Sequence, residues 1–156
     1  MKKIFIFLVL VIVSSSLTFA QSERKGTITG TFGVGIGFCR TIETAPQISF
    51  MFDLNLINRT GFTLCLTNVV SVHNSGPSQN LMFGAGYYFL RDSWNIGGAI
   101  LAAPAARELI LGGKINGGYY FSNDIGVTGT VIYRRAAGIS WDFSMLDVFI
   151  GPTIRF

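Results

Sequence analysis

Apolar and polar residues alternate with a period of two along most of this chain. The alternation is clearest from Gln47 to Leu56, where Ile, Phe, Phe, Leu and Leu occupy every second position. Successive side chains of a β-strand point to opposite faces, whereas a helix would distribute the same residues around its axis. The segment is therefore predicted to be a strand with one apolar face.

Seven further segments alternate in the same way, so the sequence predicts eight strands: 27–38, 47–56, 62–67, 81–89, 94–102, 109–121, 125–134 and 146–156. Short turns at 58–61, 91–93 and 122–124 alternate with longer linkers at 40–46, 73–80, 103–108 and 135–145. Strands joined in this way form an up-and-down sheet, and the first can pair with the last. An even number of strands places both chain ends on the side of the short turns.

Composition indicates what covers the apolar faces. The chain is 49% hydrophobic and only 13% charged, against about 25% charged residues in a typical soluble domain. After residue 20, no apolar run approaches the roughly 20 residues of a membrane-spanning helix. The predicted fold class is therefore all-β, an eight-stranded antiparallel up-and-down transmembrane β-barrel with lipid on its apolar face. The alternative is a soluble barrel of lipocalin type, which would expose Asp53, Lys114 and Arg134.

The first twenty residues predict a secretory signal peptide. Lys2 and Lys3 precede an apolar run from Ile4 to Val13, and Thr18-Phe19-Ala20 supplies a small-x-small cleavage site. No cysteine lies near that site, which argues against N-terminal lipidation. We expect residues 1–20 to be removed and residues 21–156 to form one barrel domain.

The last ten residues alternate apolar with polar or small side chains and finish on an aromatic residue. With this closing strand, the pattern resembles the small eight-stranded outer-membrane barrels of the OmpA/OmpX/OmpW type, over the whole mature chain. The resemblance implies an outer-membrane location and insertion by the barrel-assembly machinery through Phe156, Ile154, Ile150 and Val148. Pro152 departs from the family's pattern, and no OmpA-like periplasmic domain is expected.

Alternation places five charged residues inside the predicted barrel: Asp53, Lys114, Arg134, Asp147 and Arg155. The interior of an eight-stranded barrel is barely wider than its side chains, so these charges need partners. Arg134 and Asp147 flank the last linker and are expected to face each other, while Asp53 is expected to reach Lys114 across the interior. The sequence thus favours a lumen closed by an ionic network. A narrow channel for small solutes or ions is the alternative, because many inward positions are Gly or Thr.

Other chemistry is sparse, and the chain is not expected to be an enzyme. The sole histidine, His73, forms a His-Asn-Ser sequence with Ser75, which suggests an outer-leaflet lipid-modifying enzyme as a remote alternative. No acidic residue has the spacing of a triad, and the same residues form turns. Cys39 and Cys65 lie at different heights of the barrel and are predicted to be free thiols. Neither a cofactor nor a metal is expected.

Charge limits the partners. The net charge of +4 includes Lys2 and Lys3, so the mature chain carries about +2 by subtraction and no basic stripe for nucleic acid. The expected partners are outer-membrane lipid and the barrel-assembly machinery, with small solutes possible and any protein partner unspecified. Ile139 and Trp141, in the longest linker, are the candidate contact residues for a structural or surface-interaction role.

Overall fold

The computed structural model describes residues 26–39, 46–73, 76–104, 109–137 and 144–156. These residues form eight strands whose positions follow the alternating segments of the sequence. Their bounds are β1 Thr27–Cys39, β2 Gln47–Ile57, β3 Phe62–His73, β4 Gly76–Leu90, β5 Trp94–Pro104, β6 Leu109–Tyr120, β7 Ile125–Ala137 and β8 Ser144–Arg155. This part of the chain contains no helix long and apolar enough to cross a membrane.

Each strand pairs antiparallel with its neighbours in sequence, and β8 pairs with β1 to close the barrel. At the seam, the Phe156 amide donates to the Ile28 carbonyl at 2.8 Å, and the Ile28 amide donates to the Phe156 carbonyl at 3.3 Å. The predicted eight-stranded up-and-down barrel is confirmed. Closure leaves no sheet edge with a full row of unpaired backbone groups, which is the condition for a β-structure in lipid.

The two ends of the barrel differ, and we call them the turn end and the loop end. The turn end carries both termini of the described chain and the connections 58–61, 91–93 and 121–124. In the first of these, Gly61 adopts a φ of 91°, a conformation that residues other than glycine rarely adopt. The Asn58 side chain accepts a 2.9 Å bond from the Thr60 amide and stabilises the same turn. The loop end carries the other four connections.

The prediction of a long linker at 73–80 is wrong. Strand β3 continues to His73, β4 begins at Gly76, and these two residues pair with each other. Only residues 74–75 separate the strands. Gly76 and Pro77 favour a turn in isolation, but the long β3 provides a pairing partner, and Pro77 opposite Val72 lies near the end of the ladder, where a missing amide donor costs least.

Exposure along the strands decides between the two orientations of the apolar face. Phe52 is 49% exposed, whereas its neighbour Asp53 is fully buried. Lys114 and Arg134 are buried as well. The soluble lipocalin-type alternative is therefore wrong, because it requires these charges outside. The outward residues instead form an apolar surface that encircles the barrel: among the most exposed are Phe32, Ile48, Phe83, Ile100, Ile115, Tyr119, Phe121, Ile150 and Phe156.

Pro152 interrupts one ladder only. It pairs with Val127 of β7, but the register between β8 and β1 passes from Thr31 opposite Thr153 to Val34 opposite Ile150 without a pair between. A proline has no amide hydrogen to donate, so the hydrogen-bond ladder is broken at this point. The two strands stay close, because a Cβ added at Gly151 would overlap the Phe32 carbonyl. The barrel remains closed through the pairs above and below.

Candidate functional site: the charged lumen

Four residues form what we call the turn-end ionic group: Asp53, Asn55, Thr67 and Lys114. The Lys114 ammonium donates to Asp53 Oδ1 at 2.5 Å, to Asn55 Oδ1 at 2.9 Å and to Thr67 Oγ1 at 3.3 Å. Asp53 also accepts from the Thr67 hydroxyl at 2.6 Å and from Asn55 Nδ2 at 2.8 Å. An ammonium has three hydrogens to donate, so every one of them has an acceptor.

This group joins opposite walls of the barrel. Asp53 and Asn55 lie on β2 and Lys114 on β6, and three strands separate β2 from β6 in either direction around the barrel. Both charged side chains are fully buried. A buried ion pair is tolerated only when its remaining hydrogen-bonding capacity is met. Asn55 and Thr67 meet it here, so the pair braces the interior across its diameter.

A second set, the loop-end ionic group, consists of Ser49, Ser71, Arg134 and Asp147. Arg134 donates to Asp147 Oδ2 from Nε at 3.1 Å and from Nη2 at 2.7 Å. The Ser49 hydroxyl lies 3.0 Å from Asp147 Oδ1 and 3.0 Å from the Ser71 hydroxyl, which accepts from Arg134 Nη2 at 3.4 Å. The four side chains thus close a ring of hydrogen bonds.

This ring passes over β1 and depends on Gly37. Asp147 lies on β8 and Ser49 on β2, and Gly37 of β1 pairs with Asp147 on the side of β8. A Cβ atom at Gly37 would lie 2.5 Å from Asp147 Oδ1 and 3.0 Å from Ser49 Oγ. The two side chains meet because the strand between them has no side chain at that height.

Between the two ionic groups the lumen is apolar. On β2 the inward residues run Asp53, Met51, Ser49 toward the loop end, and on β3 they run Thr67, Val69, Ser71. Each series passes from the turn-end group through an apolar side chain to the loop-end group. Six buried residues that pack together in this part of the lumen are called the apolar layer: Met51, Val69, Met82, Leu101, Ile132 and Phe149.

The ion pairs follow from the charged residues of the sequence, whereas Val69, Leu101 and Ile132 of the apolar layer belong to no sequence-based prediction above. The signal was present, because each occupies an inward position of its strand's alternation. An apolar residue at an inward position of a narrow barrel fills the interior.

Several solved structures match this barrel over most of the chain. The crystal structure of Neisserial surface protein A superposes with a TM-score of 0.64 at 10% identity, over 85% of this chain and 100% of that chain. Ail, the attachment invasion locus protein of Yersinia pestis, gives 0.62 at 9% identity, over 85% and 100%. A de novo designed transmembrane β-barrel gives 0.57 at 12% identity, over 87% and 100%.

The chain has the fold of a small eight-stranded transmembrane β-barrel. Identities this low show the fold alone. No protein-family model matches the sequence, and no curated protein matches it either.

Arg155, expected in the lumenal ionic network, contacts the turn end of the barrel. Its guanidinium donates to the backbone carbonyls of Arg91 at 3.2 Å and Asp92 at 3.4 Å. Its Cζ lies 3.7 Å from the centre of the Tyr120 ring, within the range of a cation–π interaction. Neither ionic group described above includes it, and it covers the turn-end mouth of the barrel.

The four residues of the predicted assembly signal all face outward on β8 or just after it. Val148 and Ile154 are 45% exposed, Ile150 is 66% exposed and Phe156 is 74% exposed. Their alternation therefore continues the apolar outer surface across the seam with β1. This placement leaves them available to lipid and to proteins that meet the barrel from the side.

The remaining residues singled out in the sequence are the two cysteines, His73 with Ser75, and the two candidate contact residues. Cys39 and Cys65 are buried free thiols, as predicted. Ser75, Ile139 and Trp141, and the side chain of His73, lie outside the described part of the molecule, so neither the candidate contact residues nor the His-Asn-Ser sequence has a described geometry. Among the described residues, no group of three or more His, Cys, Asp or Glu side chains could hold a metal.

Proposed function

We propose that this chain is an integral outer-membrane barrel that acts through its cell-surface end and does not conduct solutes. The observation that carries the proposal is the filled lumen. Two ionic groups with fully buried charges lie on either side of the apolar layer. A conduit needs a continuous polar path or a layer that opens, and six large or branched apolar side chains interrupt that path here.

The outer membrane is the proposed location. The belt of exposed Phe, Ile, Leu and Val requires lipid, since a soluble monomer rarely exposes a contiguous apolar patch of this size. Transmembrane barrels of this kind belong to the bacterial outer membrane. The proposal includes removal of residues 1–20, a periplasmic turn end and a loop end at the cell surface.

The proposed partners during assembly are outer-membrane lipid and the barrel-assembly machinery. The outward alternation of β8, which ends at Phe156, offers an edge strand and an apolar face before β8 closes onto β1. Ile150 and Phe156 are the most exposed residues of this series. We propose that this face is recognised during insertion.

A surface-interaction role is supported by the names of two proteins of the same fold, a surface protein and an attachment invasion locus protein. Residues 40–45, 105–108 and 138–143 connect strands at the loop end, whereas only the two residues 74–75 lie between β3 and β4. We propose Ile139 and Trp141 as contact residues, because aromatic and branched apolar side chains dominate interface energetics. No catalytic role is proposed.

A narrow channel is the second candidate. It is favoured by one observation: Gln47 and Arg134 Nη1 are buried near the loop end without a hydrogen-bond partner among the described residues. Such atoms indicate space for water on that side of the apolar layer.

Two measurements test the proposal. Cells that display the full chain should adhere to an epithelial monolayer, and an Ile139→Ser, Trp141→Ser variant should lose most of that adhesion. Thr60→Ala, at the turn end, is the matched control and should adhere like the parent. Absence of adhesion by the parent chain at a verified surface density would contradict the surface role.

The second measurement is single-channel recording of the refolded mature chain in a planar bilayer. We expect a silent bilayer, with insertion verified by a heat-dependent shift in gel mobility. Discrete openings would overturn the closed lumen and support the channel.

A further inference from the structure

The turn-end half of the lumen contains five buried oxygens that neither ionic group uses. They belong to inward residues of β4 to β7, each at most 5% exposed. None makes a well-formed hydrogen bond in the described part of the chain, although the Asn116 side chain lies near the Tyr88 hydroxyl: Tyr88 Oη, Asn95 Oδ1, Asn116 Oδ1, Thr128 Oγ1 and Thr130 Oγ1. Buried polar atoms in folded proteins are nearly always hydrogen-bonded to protein or to water. Five orphans on neighbouring strands therefore indicate a common partner.

The strand register brings three of these residues into one row. Tyr88 pairs with Gly97, Gly97 with Asn116, and Asn116 with Thr130. The Tyr88 ring lies over Gly97, where an added Cβ would overlap it. The ring can therefore extend toward Asn116, which itself stands directly opposite Thr130, at the 4.5–5.5 Å or so typical of cross-strand Cβ atoms.

The other two residues form the next row toward the turn end. Asn95 pairs with Gly118, and Gly118 pairs with Thr128. A Cβ at Gly118 would lie 2.5 Å from Thr128 Oγ1 and 2.9 Å from Asn95 Oδ1, so these oxygens are no further apart than the sum of the two distances, 5.4 Å. A side chain at Gly118 would collide with both oxygens, so the glycine lets Asn95 and Thr128 approach each other across β6. Two hydrogen bonds of about 2.8 Å let one water join oxygens up to about 5.6 Å apart, so this separation allows a bridging water.

Both ends of this region are closed by side chains. Toward the loop end, the inward residue that follows Thr130 on β7 is Ile132, part of the apolar layer. Toward the turn end, Asn95 Nδ2 donates to the Tyr120 hydroxyl at 2.8 Å, and Arg155 lies over the Tyr120 ring. The five polar atoms therefore lie in a region bounded at both ends and not along an open pore.

The chemistry of the lining defines the occupant. The amide oxygens of Asn95 and Asn116 only accept hydrogen bonds, so the occupant must donate them. No lining side chain carries a charge, and the nearby Lys114 is neutralised by Asp53. We propose that Tyr88, Asn95, Asn116, Thr128 and Thr130 form a chamber that binds water and small neutral hydrogen-bond donors, separated from the loop end by the apolar layer. This inference does not depend on the surface role.

The first test is Thr128→Val, together with Thr130→Val, in the refolded barrel. Valine has nearly the shape of threonine but offers no oxygen. In a chamber that contains water, each substitution removes a hydrogen bond and lowers the urea midpoint of unfolding. In a dry interior, each removes an unpaired polar atom and raises the midpoint. A raised or unchanged midpoint in both variants overturns the proposal.

Thr31→Val is the reference variant, which shows how far the loss of one buried hydrogen bond shifts the urea midpoint. The Thr31 hydroxyl donates to the Thr153 hydroxyl at 2.9 Å in the same interior, so its loss must lower the midpoint whether or not the chamber is hydrated. The chamber variants should shift the midpoint in the same direction.

The second test compares neighbouring inward positions of β7 in a Cys39→Ser, Cys65→Ser background. Thr130→Cys lies in the chamber and Ile132→Cys in the apolar layer. The probe is methyl methanethiosulfonate, which is small and neutral. We expect the thiol at 130 to react at least about tenfold faster than the thiol at 132. Movement of the Tyr120 and Arg155 side chains at the turn-end mouth admits the probe to the chamber, whereas the thiol at 132 stays packed in the apolar layer. Equal rates, with both variants folded by gel mobility, would show that the apolar layer does not bound a hydrated chamber.

Discussion

The two ionic groups of the lumen use similar residues in different ways. Lys114 and Asp53 connect walls that face each other across the barrel, and all three ammonium hydrogens have acceptors. Arg134 and Asp147 lie on adjacent strands, β7 and β8, which are already joined by a full backbone ladder. One guanidinium nitrogen of Arg134, Nη1, has no partner among the described residues.

The difference shows how position decides what an ion pair contributes. A pair across the diameter fixes the relation of strands that share no backbone hydrogen bonds, and the complete coordination of Lys114 offsets the cost of burying its charge. A pair between neighbours adds to a contact that already exists. We therefore expect the turn-end group to contribute more to stability, and the loop-end group to organise the interior beneath the surface connections.

The largest effect is expected for Asp53→Asn. The change leaves the Lys114 ammonium buried without its counter-charge, and breaking such a pair costs about 3–5 kcal/mol. Urea unfolding of the refolded barrel, followed by gel mobility, measures the loss. An Asp53→Asn, Lys114→Met variant removes both charges and should recover most of it. If the double variant is as unstable as the single, the cost does not come from an uncompensated charge.

A smaller loss is expected for Asp147→Asn. The asparagine keeps an oxygen for Arg134 and for Ser49, and the β7–β8 ladder remains, so the cost should be about 1.5–3 kcal/mol, the range for hydrogen bonds to charged groups. The same unfolding assay measures it. A loss equal to or larger than that of Asp53→Asn would contradict the distinction between the two groups.

Gly37→Ala tests the loop-end ring without removing a charge. The new methyl would lie 2.5 Å from Asp147 Oδ1 and should separate it from Ser49, at a cost of about 1–2 kcal/mol for the lost hydrogen bond and local strain. Gly30→Ala on the same strand is the control, since its nearest neighbour, Phe156 Cε2, is 4.0 Å away. The free energy of unfolding of this control should remain within about 0.5 kcal/mol of that of the parent. Equal effects of the two alanines would show that the ring needs no space at Gly37.

The smallest effect is expected on conductance. An Asp53→Asn, Arg134→Gln variant disrupts both ionic groups but leaves the apolar layer intact, so bilayers that contain it should remain silent. Parallel recordings of the parent provide the reference. Openings that appear only in the double variant would show that the ion pairs, rather than the apolar layer, close the lumen.

Much of this architecture was predictable because a period of two specifies strands and their faces directly. The alternation at Ile48, Phe50 and Phe52 predicted both the strand and its outward face, and the same parity placed Asp53 inside. The pairing of residues 76–80 with β3 was not predictable in this way. Gly76 and Pro77 favour a turn locally, and the pairing with β3 is a tertiary contact. Local propensity gives way to such a contact.

The interior shows the same division between sequence and tertiary structure. Parity determined that Lys114, Arg134 and Asp147 face the lumen, and a narrow lumen requires buried charges to pair. Only the closed barrel decided which neutral side chains complete each pair, such as Asn55 and Thr67 at Lys114, because the relative heights of strands depend on the register accumulated around the ring. The same register decided that Arg155 covers the turn end over Tyr120 and that Gly37 admits the contact between Asp147 and Ser49. The sequence by itself determined which face of each strand each residue occupies, and closure determined which residues share a height.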